Sequence, residues 1–345
     1  MFNLGVSAMK KSLIALAAVA ASGLAMAQSS VTLYGVADIA IGDVNKKQGA
    51  QANSNINNGT SRIGFRGVED LGNGLKVNFQ FEQGVSLADG SAGGFQRQAW
   101  VGLAGGFGTL RAGRQLTPTF DSVAAYEITG TANYSAVGNN FGYGGGSRDN
   151  AMIKYVTPSF GGLKVALGYV FEDNYALGSY GDTKGHYDVA VIYANGPLAV
   201  AAGYNSAEVA TGWGQRSRVE NANVGASYDF GALKLAASYH YNDVAAGGYQ
   251  GGPTTGATKV VPGVEGYSLG VSLPLGAFSL AADAVYAEDR NGTRDGVDVV
   301  VEGKYALSKR TFVYGAYYRA DKNGPAFGKH FSAENNFGIG LRHNF

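Results

Sequence analysis

Apolar and polar residues alternate along most of the chain after residue 30. The segment 75–82, for example, has the sequence LKVNFQFE, in which every second residue is apolar. Successive side chains of a β-strand point to opposite faces of the sheet, so this alternation is typical of strands. The pattern therefore predicts strands that have one apolar face and one polar face.

Sixteen such segments follow one another, and their connections alternate between short and long. Most of the segments are close to the roughly 9–11 residues that a tilted strand needs to cross a bilayer. Seven connections are short turns rich in Gly, Pro, Asn or Ser, whereas the other eight are longer and polar, and the longest covers 116–147. The predicted strands are 31–43, 60–68, 75–84, 95–104, 107–115, 149–158, 162–172, 185–195, 197–206, 217–230, 233–243, 264–274, 277–288, 294–307, 309–321 and 334–345.

A transmembrane barrel explains this arrangement better than a soluble β-sandwich, which also shows alternation. Short turns at one end and long loops at the other are typical of an up-and-down barrel, as is a girdle of interfacial aromatic residues. Aromatic residues lie beside the short turns at Phe107, Phe160, Phe230, Phe278, Tyr305 and Phe312. We therefore predict an all-β fold, a sixteen-stranded antiparallel transmembrane β-barrel with short periplasmic turns and long extracellular loops. A barrel of this size encloses an aqueous channel.

The first 27 residues have the features of a secretory signal peptide. Lys10 and Lys11 precede the apolar run 13–21, and small residues at Ala25 and Ala27 suit a cleavage site. The run is too short to span a bilayer as a helix. We expect cleavage after Ala27, which leaves residues 28–345 as one barrel domain.

Composition and charge narrow the function. The chain has 54 Gly and no Cys, and its 27 Lys and Arg residues nearly balance its 26 Asp and Glu residues. A nucleic-acid-binding protein would carry a marked basic excess, so that class is not expected.

The pattern Gly-x-Ser-x-Gly at 266–270 lies within a predicted strand rather than at the strand–turn–helix elbow of a hydrolase. The four histidines show no metal-ligand spacing, so no enzyme activity, cofactor or metal is expected.

Three segments resemble the general bacterial porins. They are SVTLYGVAD at 30–38, SRIGFRGVEDLGNGL at 61–75 and NFGIGLRHNF at 336–345. Together they are most similar to the β-proteobacterial branch of the Gram-negative porins. The resemblance implies a homotrimer of barrels in the outer membrane, in contact with its lipids and lipopolysaccharide. Each barrel would pass ions and small hydrophilic solutes.

The longest loop, 116–147, is the best candidate for a pore constriction, because a long loop that folds inward narrows the lumen most. In the family the third loop does this, and its acids face a ladder of arginines on the wall. The acids of this loop are Asp121 and Glu127. Alternatively, both acids pair with wall groups and simply hold the loop in place.

Alternation assigns several arginines to the lumen. Arg62 and Arg66 alternate with apolar residues along their strand, and Arg111 does the same in its own strand, so all three are expected to face the lumen. Arg97 and Arg148 are assigned by the resemblance, with Trp100 directed outward. Alternatively, each arginine simply lies on a solvent-exposed face of its strand and has no role in the constriction. The alternation also assigns charges on later strands to the lumen: Asp188, Asp283, Asp298, Glu302, Lys304 and Arg319.

The two ends of the barrel sequence suggest how it assembles. Phe345 is the last residue, and a terminal aromatic residue resembles the signal read by the outer-membrane barrel assembly machinery. Small outward residues allow close approach of neighbouring subunits in a membrane. We therefore expect a trimer interface on the outer face of the first and last strands, at Gly35, Ala37, Ile39 and Ile339.

Three functions remain open at this point. The first is a general diffusion porin with a mild preference for anions, since the candidate constriction has more arginines than acids. The second is a channel specialised for one class of solute. The third is an outer-membrane barrel enzyme, which would need an acid–base constellation on the barrel wall.

Overall fold

A single antiparallel sheet of seventeen strands closes on itself in the computed structural model of the chain. The structure describes residues 29–52, 54–171, 185–212, 215–243 and 263–345, so the predicted signal peptide lies outside the described residues. The strands are β1 (Ser30–Val44), β2 (Lys47–Gln51), β3 (Arg62–Gly72), β4 (Leu75–Gly84), β5 (Gln98–Gly105), β6 (Gly108–Leu116), β7 (Arg148–Val156), β8 (Leu163–Val170), β9 (His186–Asn195), β10 (Leu198–Gly212), β11 (Gln215–Asp229), β12 (Lys234–Asn242), β13 (Val264–Leu275), β14 (Phe278–Asp289), β15 (Asp295–Ala306), β16 (Thr311–Arg319) and β17 (Asn335–Asn344).

The first and last strands close the barrel. β1 pairs with β17 from Val36↔Asn344 to Asp43↔Phe337, and with β3 through its first seven residues. Unpaired backbone groups cannot be tolerated in a bilayer, so closure removes both edges of the sheet. The predicted barrel of sixteen strands is confirmed.

The additional strand, β2, lies in the first long loop, which the sequence pattern left as irregular. It pairs with the end of β1, from Ala40↔Gln51 to Val44↔Lys47. Asn45 and Lys46 adopt positive φ angles of 57° and 62° between the two strands. Two such residues form the type of tight turn that joins antiparallel strands, so the loop begins as a hairpin.

Alternation correctly separates the two faces of most strands, with exceptions at aromatic residues. On β5 Val101 is 55% exposed on the outer face, whereas Trp100 is only 8% exposed and points into the lumen. The Arg111 guanidinium lies 4.6 Å from the Trp100 ring centroid. The expected outward direction of Trp100 is therefore wrong, because a lumen guanidinium can stack on a large ring.

The faces of β16 are also the reverse of those expected. Tyr314 and Tyr318 face the lumen, where their hydroxyl groups donate hydrogen bonds to Asp38 and Asp298 at 2.6 and 2.7 Å. Arg319 consequently lies on the exposed outer face, not in the lumen. Tyrosine combines an apolar ring with a polar tip, so alternation alone does not fix its direction.

Two helices, α1 (Pro118–Tyr126) and α2 (Ala136–Gly145), lie between β6 and β7 inside the barrel. Among the described residues, no helix has both the length and the apolar character needed to cross a bilayer. The helical loop and the inner wall share one buried apolar cluster. Its members larger than alanine are Val44, Ile56, Val123, Tyr126, Tyr134, Val137, Phe141, Val264, Val285, Val300, Tyr314, Tyr318 and Phe331.

The C-terminal residue joins the barrel seam directly. The Phe345 backbone N–H donates to the Gly35 carbonyl at 3.1 Å, and the Gly35 N–H donates back at 3.0 Å. The Phe345 ring also covers Gly35, where it occupies the place of a Cβ atom. The last residue therefore contributes both backbone pairing and side-chain cover to closure.

Deletion of Phe345 should reduce the amount of folded, heat-modifiable protein in the outer membrane. It removes two hydrogen bonds at the seam, together worth about 1–3 kcal/mol, as well as the predicted assembly signal. Electrophoresis of unheated and heated outer-membrane fractions measures the folded fraction. Phe337→Ala, on the same exposed face of β17, is the control and should fold at nearly normal levels. Normal levels of folded protein after the deletion would contradict the assembly role.

Candidate functional site

The loop that enters the barrel begins with a well-capped helix. Thr117 precedes α1, and its hydroxyl oxygen accepts a hydrogen bond from the Phe120 N–H at 3.1 Å. Pro118 occupies the first turn, where its missing N–H costs nothing and its fixed φ suits a helix. Asp121 adds a negative charge at the positive end of the helix dipole. The local sequence thus favours a helix at the point where the chain leaves the wall.

Hydrogen bonds fix α1 to one side of the barrel. Thr119 donates twice to Asp188 on β9, from its N–H at 2.9 Å and its hydroxyl at 2.8 Å. The hydroxyl groups of Ser122 and Tyr126 both donate to the Asn223 side-chain oxygen on β11, at 2.7 and 3.2 Å. All five side chains are buried. The helix is therefore attached along its length to the wall formed by β9, β10 and β11.

Two glycines on this wall make room for α1. A Cβ atom on Gly225 would lie 2.6 Å from the ring of Tyr126, and one on Gly203 would lie 2.5 Å from the Ser122 hydroxyl oxygen. Real Cβ contacts are essentially never this short. The absence of a side chain at these positions is what lets the helix rest directly on the sheet.

The second half of the loop is attached further along the same wall, at β15. The Tyr134 hydroxyl donates to Glu302 on β15 at 2.6 Å and accepts from the Asn58 amide at 2.7 Å. Burial raises the pKa of Tyr134 well above its usual value, so its hydroxyl keeps its proton and remains a donor. Asn140 on α2 donates to Asp298 at 2.9 Å. The loop thus follows the inner wall from β9 to β15.

The two acids of the loop are both used to hold it. Asp121 accepts from the Lys154 ammonium group at 2.5 Å, and Lys154 is almost completely buried in the wall. Glu127 accepts from Thr129, Thr131 and Ser135 at 2.5, 2.6 and 2.8 Å, all within the loop. Asp121 thus pairs with a wall group, as in the alternative, whereas Glu127 holds the loop through contacts within the loop itself.

A cavity of about 550 Å³ separates the loop from the remaining wall. Its charged lining has four guanidinium groups, from Arg62, Arg97, Arg148 and Arg342, and one carboxylate, from Glu82. Neither Asp121 nor Glu127 lines it. The structure thus brings three of the predicted arginines together and places both loop acids elsewhere.

Glu82 forms ion pairs with two of these arginines. It accepts from the Arg97 Nε at 2.6 Å and lies 3.9 Å from an Arg62 terminal nitrogen. The Tyr34 hydroxyl donates to its other oxygen at 2.9 Å. One carboxylate therefore holds two guanidinium groups at the edge of the cavity without balancing the charge of all four.

Arg342 belongs to the same cavity but was not among the sequence candidates. It donates to the Asn58 side-chain oxygen at 2.8 Å and lies 4.0 Å from the buried Asp38 carboxylate. The polar faces of β4 and β17 carry Glu82 and Arg342, so alternation could have assigned both to the lumen. Nothing in their spacing distinguishes them from other lumen charges.

The remaining candidate arginines lie lower in the barrel. Arg66 is four residues from Arg62 along β3, or about 13 Å closer to the short turns. Its guanidinium stacks on Tyr34, 5.2 Å from the ring centroid, whereas that of Arg111 stacks on Trp100. Both arginines face the lumen, but neither lines the cavity. These two arginines extend the positively charged part of the lumen wall from the cavity towards the short turns.

The family model of the Gram-negative porins matches residues 13–325 of the chain. The chain belongs to this family. It is 36% identical over 328 residues to outer membrane porin protein 32 of Delftia acidovorans, with coverage of 89% of this porin and 88% of that protein. It is 32% identical over 399 residues to an outer membrane porin protein of Bordetella pertussis, with coverage of 98% and 100%.

The structural comparison agrees with the sequence comparison. The solved structure of an anion-selective porin from Comamonas acidovorans superposes with a TM-score of 0.75 at 28% identity, and the match covers 92% of this porin and 100% of that chain. This porin therefore forms a channel in the outer membrane of a Gram-negative bacterium. The predicted family, fold and location are confirmed.

A side chain at Gly225 should narrow the channel. In Gly225→Ala the added methyl group meets the Tyr126 ring, so α1 must shift away from its wall and towards the cavity. We expect a lower single-channel conductance in planar bilayers, and a loss of about 1–3 kcal/mol in the free energy of unfolding from overpacking.

Gly315→Ala on β16 provides the matched control, since an added Cβ there has no neighbour nearer than 4.0 Å. Its conductance should equal that of the wild type. Equal conductance of Gly225→Ala and Gly315→Ala would show that α1 does not depend on close contact at Gly225.

Proposed function

We propose that this porin is a general diffusion channel with a mild preference for anions, and that its constriction is the cavity between the helical loop and the wall. The observation that carries this proposal is the charge of the lining, four guanidinium groups against one carboxylate. Arginine stays protonated under all ordinary conditions, so the positive excess is permanent. Transport through such an opening is passive diffusion and needs no catalytic group.

The electrostatic reason is the low-dielectric wall around the lumen. Charges of one sign in a narrow aqueous passage concentrate counter-ions there and repel ions of the same sign. Salt weakens the effect, because the Debye length falls from about 10 Å at 0.1 M to about 3 Å at 1 M. The preference should therefore be strongest in dilute solution.

The placement of the loop acids supports a positive filter. Asp121 is paired with Lys154, and Glu127 is turned into the loop, where three donors surround it. Neither carboxylate opposes the arginines across the cavity, although the resemblance had implied that both would. The similar porin from Comamonas acidovorans is described as anion-selective, which is consistent with this proposal.

The double variant Arg62→Ala/Arg97→Ala should lose most of the anion preference. It removes two of the four guanidinium groups and leaves Glu82 without its closest positive partners. We expect the ratio of Cl⁻ to K⁺ permeability, measured from the reversal potential in a KCl gradient, to fall to about one or below.

Arg319→Ala is the control for the loss of a positive charge as such, because Arg319 lies on the outer face of β16. Its reversal potential should equal that of the wild type. An unchanged potential in the double variant would place the filter in other residues. A saturable conductance for one solute, but not for chloride, would instead favour a solute-specific channel.

We also propose that the porin is a homotrimer that associates through the outer face of β1 and β17. Ile41 and Ile339 are adjacent across the seam and are 70% and 72% exposed, the most exposed apolar side chains on these two strands. Ala37 and Ile39 lie on the same face. Gly35 is covered by Phe345, so close approach of a neighbouring subunit would use Ala37 rather than Gly35.

Ala37→Trp should convert SDS-resistant trimers to monomers, because the large ring would separate two closely packed outer faces. Electrophoresis without heating measures the distribution. Ala226→Trp, the same change on the outer face of β11, is the matched control and should leave the trimer intact. If both variants give the wild-type trimer, the interface lies away from Ala37.

A further inference from the structure

Three metal-ligating side chains meet on the inner wall, outside the arginine cavity. Asp149 lies at the start of β7, and His186 and Asp188 lie at the start of β9. One ligand atom from each falls within 4.8 Å of the other two. The side chains belong to buried residues that are 9%, 4% and 1% exposed. Spacing along the sequence gave no sign of this cluster.

The barrel brings the three residues together because β8 is short. β8 ends at Val170, which pairs with His186 of β9 on one side and Met152 of β7 on the other. Asp149 lies three residues beyond Met152 along β7, past the last residue of β8. The Asp149 carboxylate therefore reaches the His186 Nδ1 at 2.8 Å.

The described residues leave the cluster with an excess of negative charge. Two carboxylates share one imidazole, and within the described part of the chain neither aspartate forms an ion pair with a lysine or arginine. The nearby Lys154 pairs with Asp121 instead. Buried carboxylates are costly unless positive groups compensate them. A divalent cation beside a neutral imidazole would leave the whole set neutral.

Asp188 is already oriented in the manner of a metal ligand. Both of its oxygens accept hydrogen bonds from Thr119, and the Asn205 amide in turn donates to the Thr119 hydroxyl at 3.3 Å. Outer hydrogen bonds of this kind fix the direction of ligating carboxylates and raise metal affinity. They also connect the cluster to the first turn of α1.

We propose that Asp149, His186 and Asp188 bind one divalent transition-metal ion, of the zinc class, which ties the root of the constriction loop to β7 and β9. One imidazole nitrogen with two carboxylate oxygens suits Zn²⁺ and similar ions, whereas Ca²⁺ and Mg²⁺ prefer oxygen ligands alone. Water completes the coordination. The site is structural, and it acts on the channel only by holding α1 in place through Thr119.

Zn²⁺ titration of the full-length, detergent-solubilised porin tests the proposal. After prolonged treatment with a chelator, isothermal titration should show one Zn²⁺ per chain, and Ca²⁺ should not compete. His186→Asn and Asp149→Asn should each weaken Zn²⁺ binding by at least about tenfold. His343→Asn, which changes a histidine at the opposite end of the barrel, should leave binding unchanged.

A second measurement needs no variant and so does not depend on the folding of altered chains. Crystals of the wild-type porin soaked with Zn²⁺ should show an anomalous difference peak, present above the zinc absorption edge and lost below it, among the three side chains. No peak there, no binding in solution, or equal loss of binding in the His343→Asn control would each overturn the proposal. These results are independent of ion selectivity.

Discussion

The need to pair every backbone group within the bilayer governs this molecule. A sheet in hydrocarbon cannot leave an edge, so β17 must return to β1 and the chain must close a full circle. With sixteen membrane-crossing strands, that circle is too wide for side chains to fill. The open lumen is therefore a consequence of closure, and the protein must use other means to set the size of its channel.

The helical loop sets the size of the channel, and its own structure depends on contacts with the inner wall. α1 and α2 are short, and α2 contains several glycines, so they gain little from intrinsic helix stability. Buried contacts with Asn223, Asp298 and Glu302 determine the position of the loop. Neither acid of the loop lines the arginine cavity, because Asp121 pairs with Lys154 and Glu127 accepts hydrogen bonds from the loop itself. The positive wall is thus left facing the cavity without negative groups across from it.

The sequence predicts the barrel well because the bilayer imposes a strict period of two on every strand. Arg62 could be assigned to the lumen on this basis. The pattern fails at Trp100 and Tyr314, whose rings are apolar but whose partners lie inside the barrel. Arg342 could not be linked to the cavity, since its partner Asn58 is 284 residues away along the chain. The Asp121–Lys154 pair likewise depends on how the loop folds back.

The anchoring of the loop has a consequence for how the channel responds to its surroundings. Most of its attachments to the wall are buried hydrogen bonds from hydroxyl and amide groups, such as those of Ser122, Tyr134 and Asn140. Mobile ions screen exposed charges but have little access to such contacts. The width of the channel and its ion selectivity therefore depend on different contacts. A bacterium that moved from fresh to brackish water would keep the same size limit for solutes, whereas the ion preference of the channel would change with the salt concentration.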